Sequence, residues 1–315
     1  MRLLLIDGHY YCYRSFYAIR DLKNSRGEST NAIFGFVKTL RKMLKDLRPD
    51  LAAVLWDQGL PTRRTALQPD YKATRTETPA DLRPQIDALR ELVTLFGLKS
   101  IGVPDTEADD LMATYATVAK QHGHEVILAT NDKDLFQLVD ERCSIYSTNK
   151  TDLAAPTDPH ALLDAAKVQQ KWGIPPALIG DMLALIGDTV DNIPGVPGIG
   201  PKTAVSLLTQ FGNLDGLLAN LEKVTANRAR ESLTASTARI TQNREMVRLD
   251  LDLPLPVPLD ELTIQPRHAE IVQAMETCEF RGLTAETRAE AIAAGAIVAE
   301  APKAAPAAPA QGELF

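Results

Sequence analysis

The sequence predicts an α/β protein: a mostly parallel central sheet flanked by helices, followed by a helical subdomain. Three observations point there. Strand-sized apolar runs at Leu3–Ile6, Leu51–Trp56 and Glu125–Ala129 are each followed within three residues by an aspartate. Segments with apolar residues at helical spacing alternate with these runs through residue 150, the pattern of a parallel sheet covered on both faces. Beyond residue 150 the chain reads as helical segments broken by Pro and Gly.

In chain order, Leu3–Ile6 is a buried strand. The opening charge and apolar run look like a signal peptide but stop at Asp7, short of the roughly 7–15 apolar residues a leader needs. Thr30–Leu47 is an amphipathic basic helix, with Ile33, Phe36, Val37, Leu40, Met43, Leu44 and Leu47 on one face and Pro49 closing it. Leu51–Trp56 is a second strand. Residues 58–80 are rich in Arg, Thr and Pro without apolar period, so a long loop is expected there. Leu82–Phe96 and Glu107–His122 are helical, and Lys99–Val103 is a short strand. Helices are expected at 159–171, 175–186, 201–210, 213–221, 225–235 and 236–247. Residues 250–266 are Pro-rich and extended, and 267–294 hold two helices. From Ala299 to Ala310, seven Ala and three Pro in twelve residues predict a disordered tether.

The 315 residues suffice to bury a large core, and no apolar run approaches the roughly 20 residues of a membrane span. Three widely spaced cysteines without a CxxC pair exclude a disulfide scaffold and a zinc ribbon, and fit a cytoplasmic protein. The net charge of −7 conceals an asymmetry. Residues 1–100 carry 17 Lys and Arg against 11 Asp and Glu, whereas residues 101–200 carry 6 against 15. Such a division is either two solvated faces or a polyanion-binding surface beside a cation-binding pocket.

The acidic residues favour the second. Asp7, Asp57, Asp132 and Asp134 follow predicted strands, whose C-terminal ends form the ligand crevice of an open parallel sheet. Glu107, Asp109 and Asp110 open a helix, and Asp188 and Asp191 come from the helical half. Singly, each is ordinary turn or cap chemistry. Together, nine acids in one crevice repel strongly, with Lys133 as the main base in these segments. Divalent cations relieve that repulsion. All-oxygen ligands select Mg²⁺ or Mn²⁺ over zinc. Two such ions about 4 Å apart can generate hydroxide and stabilise a leaving oxygen in phosphodiester cleavage.

Two further elements suit a polyanion. Ile193–Thr203 places Gly195, Val196, Gly198, Ile199 and Gly200 before a helix start with Lys202 and Thr203. Glycine admits a phosphate close to the backbone, and a helix N-terminus offers free N–H groups. Tyr71, Lys72 and Arg75 stand in the basic stretch with Arg63 and Arg64. Lys72 and Arg75 can position a phosphate, Tyr71 can stack on a base, and Arg14 can assist electrostatically.

These strings in this order resemble the 5′-nuclease family, which includes the exonuclease domain of bacterial DNA polymerase I and the flap endonucleases. The carriers are Asp7-Gly8-His9, Tyr13-Arg14, Trp56-Asp57, Tyr71-Lys72, Arg75, Glu107–Asp110, Thr130–Leu135 and Gly187–Gly200. The resemblance covers residues 1–285. It implies a PIN-like catalytic domain over 1–180 with a helical arch at about 60–85. It also implies a helical DNA-binding domain over 181–294, with a helix–three-turn–helix element holding K⁺ through its backbone. By the family's pattern Asp7, Asp57, Glu107, Asp109 and Asp110 surround one metal. Asp132, Asp134, Asp188 and Asp191 surround the other, with Lys72, Arg75 and Arg14 at the phosphate. Asn131 stands where Ala or Gly is more usual, and Val190 where Ser is common. The activity implied is metal-dependent 5′→3′ exonuclease and 5′-flap endonuclease chemistry in primer removal and repair. The substrates would be branched or nicked duplex DNA and RNA primers on DNA, and the protein a monomer at the nucleoid. The alternatives are a non-catalytic DNA-binding scaffold and a PIN-type RNA nuclease. Residues 295–315 form the predicted tail, where Gln311, Leu314 and Phe315 resemble the peptide by which replication proteins bind the sliding clamp.

Overall fold

The computed structural model describes residues 1–299. Its main sheet has six strands: Arg2–Asp7 (β1), Leu51–Leu55 (β2), Lys99–Ile101 (β3), Glu125–Ala129 (β4), Cys143–Ser147 (β5) and Ala161–Leu163 (β6). Their spatial order is β3-β2-β1-β4-β5-β6, parallel except for β6. Strand β1 lies between its partners in close register, Leu3 facing Leu51 on one side and Val126 on the other. Leu3, Leu4 and Leu5 are fully buried, as a central parallel strand requires. After β3 the chain crosses to the far side of β1, so the strand order reverses between β1 and β4. A crevice opens at the C-terminal ends of strands at such a point.

Helices Gly8–Ala18 (α1), Asn31–Leu47 (α2), Thr62–Leu67 (α3), Arg83–Leu95 (α4) and Ala108–Gln121 (α5) fill the connections between β1 and β4. The amphipathic stripe predicted for α2 is buried at Ile33, Phe36, Val37, Leu40, Met43 and Leu47. Gly8, at the β1–α1 junction, is a close-approach position: a Cβ there would lie 2.4 Å from the Trp56 ring.

Three expectations need correction. The stretch 58–80 is not wholly loop, because Thr62–Leu67 is helical. That helix has no apolar stripe because the side chain it buries is Arg64. Strand β5 adds a strand that the apolar runs do not mark. The expected helix 159–171 divides into the antiparallel edge strand β6 and Ala165–Trp172 (α6), whose start is fixed by Asp164 accepting from Lys167 N.

The helical half continues with Ile179–Ile186 (α7), a two-stranded ribbon of Gly187–Asp188 (β7) and Ile193–Pro194 (β8), then Pro201–Phe211 (α8). Leu214–Leu218 (α9), Asn227–Ala235 (α10) and Thr237–Val247 (α11) follow. Buried Asn243 on α11 donates to Ala184 O at 3.0 Å and Pro194 O at 2.9 Å, tying α7 and β8 together. One apolar core cluster includes residues from Leu3 to Leu262. Compact packing divides the chain after Pro266. In the second unit, His268–Thr277 (α12) and Arg281–Ala293 (α13) pack on each other, with an ion pair between Glu276 and Arg288. Among the described residues, no helix is long and apolar enough to cross a membrane. The predicted clamp-like residues Gln311, Leu314 and Phe315 lie outside the described residues.

Candidate active site at the carboxyl edge of the sheet

Asp7 ends β1 and does two structural jobs. Its carboxylate accepts from Tyr10 N at 2.9 Å, capping α1, and from Thr130 Oγ1 at 3.0 Å, just beyond β4. Thr130 Oγ1 in turn accepts from Asp132 N at 3.0 Å, and Asp132 Oδ1 accepts from Asp134 N at 2.9 Å. From β2, Asp57 Oδ1 accepts from Ala108 N at 2.8 Å and so holds the start of α5. Asp109 lies in the first turn of that helix. Strand ends and helix starts thus aim their acids at the same place. A crevice of about 850 Å³ is lined by Asp7, Asp57, Asp109 and Asp132, with Lys72 and Arg75 on its wall.

The acids perturb one another along this line. Burial, then the charges of Asp57 and Asp132, raise the Asp7 carboxyl to about 7. Asp109 is pushed well above the usual carboxylate range by burial and by Asp132, Asp7 and Asp57. Asp132 is raised by burial and by Asp191 and Asp188, against the bond from Asp134 N. Asp134 is pushed far up by burial and by Asp132, Asp188 and Asp191. Two overlapping groups result: Asp7, Asp57, Asp109 and Asp132, and then Asp132, Asp134, Asp188 and Asp191. The buried Asp134 Oδ1 has no hydrogen-bond partner. A buried carboxylate oxygen left in this state calls for a cation, and an all-carboxylate donor set suits a hard divalent ion.

Four of the acids are paired with bases. Glu107 and Asp110 are almost fully buried against the Arg64 guanidinium. Glu107 also bonds Lys72 and accepts from Tyr71 Oη at 3.0 Å. Asp191 accepts from Tyr71 Oη at 3.2 Å and from Arg75 Nε at 3.1 Å, with Lys72 Nζ at 3.9 Å. Lys133 pairs with Asp188 at 2.9 Å. Lys133 is thus joined by Arg64, Lys72 and Arg75, bases from outside the acidic segments that enter from the 60–80 stretch. Among the described residues, no three His, Cys, Asp or Glu side chains are grouped so as to hold a metal ion.

The structure separates the predicted DNA-contact residues. Tyr71 is 4% exposed, so its ring is not offered to a base. Arg64 is 3% exposed and faces inward. Arg63 is bound to the carbonyls of Glu245 and Arg248 and pairs with Asp250 at 3.4 Å, so it stitches α3 to α11. Arg75 keeps an exposed face, and Arg14 is exposed, reaching Thr148 O at 3.4 Å.

The glycines divide in the same way. Gly187, at φ +70°, and Gly195 let the ribbon backbones touch. A Cβ on Gly195 would lie 2.2 Å from Ile186 O. Gly195 is therefore a packing residue, and the Val196 and Ile199 side chains are core. Gly198 and Gly200 face open space, with Gly200 capping α8 ahead of exposed Lys202 and half-buried Thr203. Gly195→Ala is expected to destabilise the protein by about 1–3 kcal/mol. Gly200→Ala should change stability by less than about 0.5 kcal/mol. Denaturant titration of both variants checks this.

Several crevice residues escaped the sequence reading as site residues. His9 Nδ1 accepts from Asp57 N at 3.2 Å, and Tyr13 Oη is 2.7 Å from Thr78 Oγ1. Asn131 bridges the Tyr10 hydroxyl and Ser147 Oγ. Its departure from the usual small residue was the one available signal.

The profile of the 5′-3′ exonuclease N-terminal resolvase-like domain matches residues 2–173, and that of the 5′-3′ exonuclease C-terminal SAM fold matches residues 174–270. DNA polymerase I of Rhizobium leguminosarum is 37% identical over 291 residues, which is 90% of this chain and 28% of the relative. Thermostable DNA polymerase I of Thermus thermophilus is 38% identical over 285 residues, 90% of this chain and 33% of the relative. The chain thus spans about a third of the length of these relatives. In fold it is similar to the T5 5′-exonuclease with bound zinc, at TM-score 0.66 and 20% identity over 93% of this chain and 99% of that one. It is also similar to the catalytic core of Rad2 in complex with DNA substrate, at TM-score 0.60 and 19% identity over 93% and 92%. With both of its consecutive domains matched and the carboxylates gathered where strand order reverses, the chain belongs to the 5′-3′ exonuclease family.

Proposed function

We propose that this protein is a divalent-metal-dependent 5′→3′ exonuclease and 5′-flap endonuclease acting on branched or nicked duplex DNA, as a monomer at the nucleoid. One observation carries the reading: Asp7 at the end of β1, Asp57 just after β2, Asp109 in the first turn of α5 and Asp132 just after β4 line one crevice. Asp7, Asp57, Asp109 and Asp132 would hold one ion, and Asp132, Asp134, Asp188 and Asp191 the other. Mg²⁺ or Mn²⁺ would supply the nucleophile at neutral pH and stabilise the leaving oxygen. Lys72 and Arg75 would grip the attacked phosphate, and Arg14 would add positive potential at the rim. The open backbone at Gly198–Gly200, with Lys202 and Thr203 at the α8 start, would receive the duplex phosphates, with K⁺ held by the same turn. Catalysis would reside in residues 1–180 and duplex grip in 181–294.

The test is cleavage of an end-labelled 5′-flap substrate with and without EDTA. Product carrying a 5′-phosphate and 3′-hydroxyl, formed with Mg²⁺ and abolished by EDTA, is expected. Cleavage that survives EDTA, or a preference for single-stranded RNA over flap DNA, overturns the reading. A peptide of residues 300–315 is proposed to bind a sliding clamp with roughly micromolar affinity, measurable by calorimetry.

A further inference from the structure

Lys72 and Arg75 occupy an unexpected place for residues that would meet a phosphate. Lys72 Nζ bonds the Glu107 carboxylate and lies 3.9 Å from Asp191 Oδ2, with only 10% of its side chain exposed. Arg75 places two nitrogens on Asp191 Oδ1, one at 3.1 Å. Tyr71 Oη completes the group, touching Glu107 and Asp191 together. The backbone is built to hold this arrangement. Lys72 adopts φ +59°, a left-handed conformation unfavourable for a lysine, while its N–H donates to Asp191 O at 3.1 Å. Beside it, Gln68 Nε2 bonds Asn192 O, and Asn192 Nδ2 bonds Asp70 O at 2.8 Å. The 68–75 segment is thus laced to the 188–192 turn.

We infer that Lys72 and Arg75 form a built-in counter-cation that occupies Asp191 and excludes a divalent ion from that side of the crevice until it is displaced. This rests on the metal-dependent reading above. The charge balance supports it. The second carboxylate group needs positive charge, and here these two side chains with Lys133 provide it. A divalent ion bound at Asp191 removes the carboxylate that holds Arg75 and weakens the hold on Lys72. Arg75 is then free to turn into the crevice it already lines, where a phosphate would sit, while Lys72, left with Glu107 as its one carboxylate partner, stands beside it on the same wall. Metal occupancy and phosphate capture become successive uses of one pair of cations.

The experiment is Mn²⁺ binding to the full chain without DNA, read by the electron paramagnetic resonance of free Mn²⁺. Lys72→Met, Arg75→Gln and the double variant should bind the second Mn²⁺ at least about tenfold more tightly than the parent, since a competing charge has been removed. Lys72→Arg and Arg75→Lys keep the charge and should stay near the parent. Lys171→Met, which loses an ion pair with Asp152 elsewhere, should leave binding unchanged. If the parent and all variants bind no Mn²⁺, the metal-dependent reading itself fails. If the parent binds Mn²⁺ and the charge-removing variants bind it no more tightly, the counter-cation inference fails and the metal reading stands. Melting curves in EDTA identify any variant that does not fold, in which case the single Arg75→Gln variant, whose side chain is 42% exposed, decides.

Discussion

Asp134→Ala is expected to lower flap cleavage by at least about a hundredfold while leaving the metal-free protein as stable as the parent or more so. The two halves of that result come from the same geometry. Asp134 is a buried acid whose Oδ1 has no hydrogen-bond partner and whose carboxyl is driven up by burial and by Asp132, Asp188 and Asp191. In the metal-free fold its charge costs free energy and returns little, so removing it relieves repulsion. With divalent ions present that oxygen is free to serve as a ligand. Asp188→Ala should lose activity to the same extent but gain less stability, because Asp188 already pairs with Lys133 and accepts from Val190 N. Cleavage rates on a labelled flap, DNA affinity in Ca²⁺ and denaturant midpoints in EDTA separate the effects. DNA affinity within about twofold of the parent is expected, because phosphate contacts and not this acid carry binding. A variant that cuts normally ends the assignment of Asp134 to a metal. One that loses activity together with several kcal/mol of stability makes the residue structural.

How far the sequence carried the fold depended on what kind of signal each element left. Strands β1, β2 and β4 were legible because a central parallel strand is an apolar run closed by a polar residue, and their trailing aspartates marked the crevice. Helix α2 was legible from its stripe. Strands β5 and β6 were not. Cys143-Ser144-Ile145-Tyr146-Ser147 lacks a continuous apolar run, and the Pro, Asp and Ala around 156–165 mask an edge strand of three residues. In the site, residue type marked the acids as a set, but not which of them are neutralised by a partner in the fold. Glu107 and Asp110 have the same helix-start signature as Asp109, yet a partner about 45 residues earlier in the chain neutralises them. Long-range ion pairs leave no local pattern. The same limit hid the inward turn of Arg64 and Tyr71 in a stretch whose composition suggests a solvated loop. It also made Gly195 look equivalent to Gly198, although one touches backbone and the other open solvent.

Arg64→Ala is the substitution on which the two readings of the basic segment disagree most. As a DNA contact, Arg64 would be dispensable for folding, and its loss would reduce the salt dependence of binding by about one charge. The structure predicts the reverse. Its guanidinium is 3% exposed and meets Asp110 through two nitrogens, at 2.5 and 2.9 Å, while also bonding Glu107. It further donates to Met246 O at 2.8 Å and Arg248 O at 2.9 Å, at the end of α11. Removing it leaves two buried carboxylates short of a cation and two carbonyls without a donor. The expected loss is about 3–5 kcal/mol of stability, the range for breaking a buried ion pair from one side. Arg64→Lys should recover only part, since a single ammonium cannot span two carboxylates and two carbonyls as a planar fork does. Arg64→Met combined with Glu107→Gln and Asp110→Asn should recover more than Arg64→Met alone, because the orphaned charges leave with their partner. Denaturant unfolding of the four variants decides between these accounts. A parent-like midpoint for Arg64→Ala would return the residue to the surface and remove the anchor that holds the 60–80 segment against the start of α5.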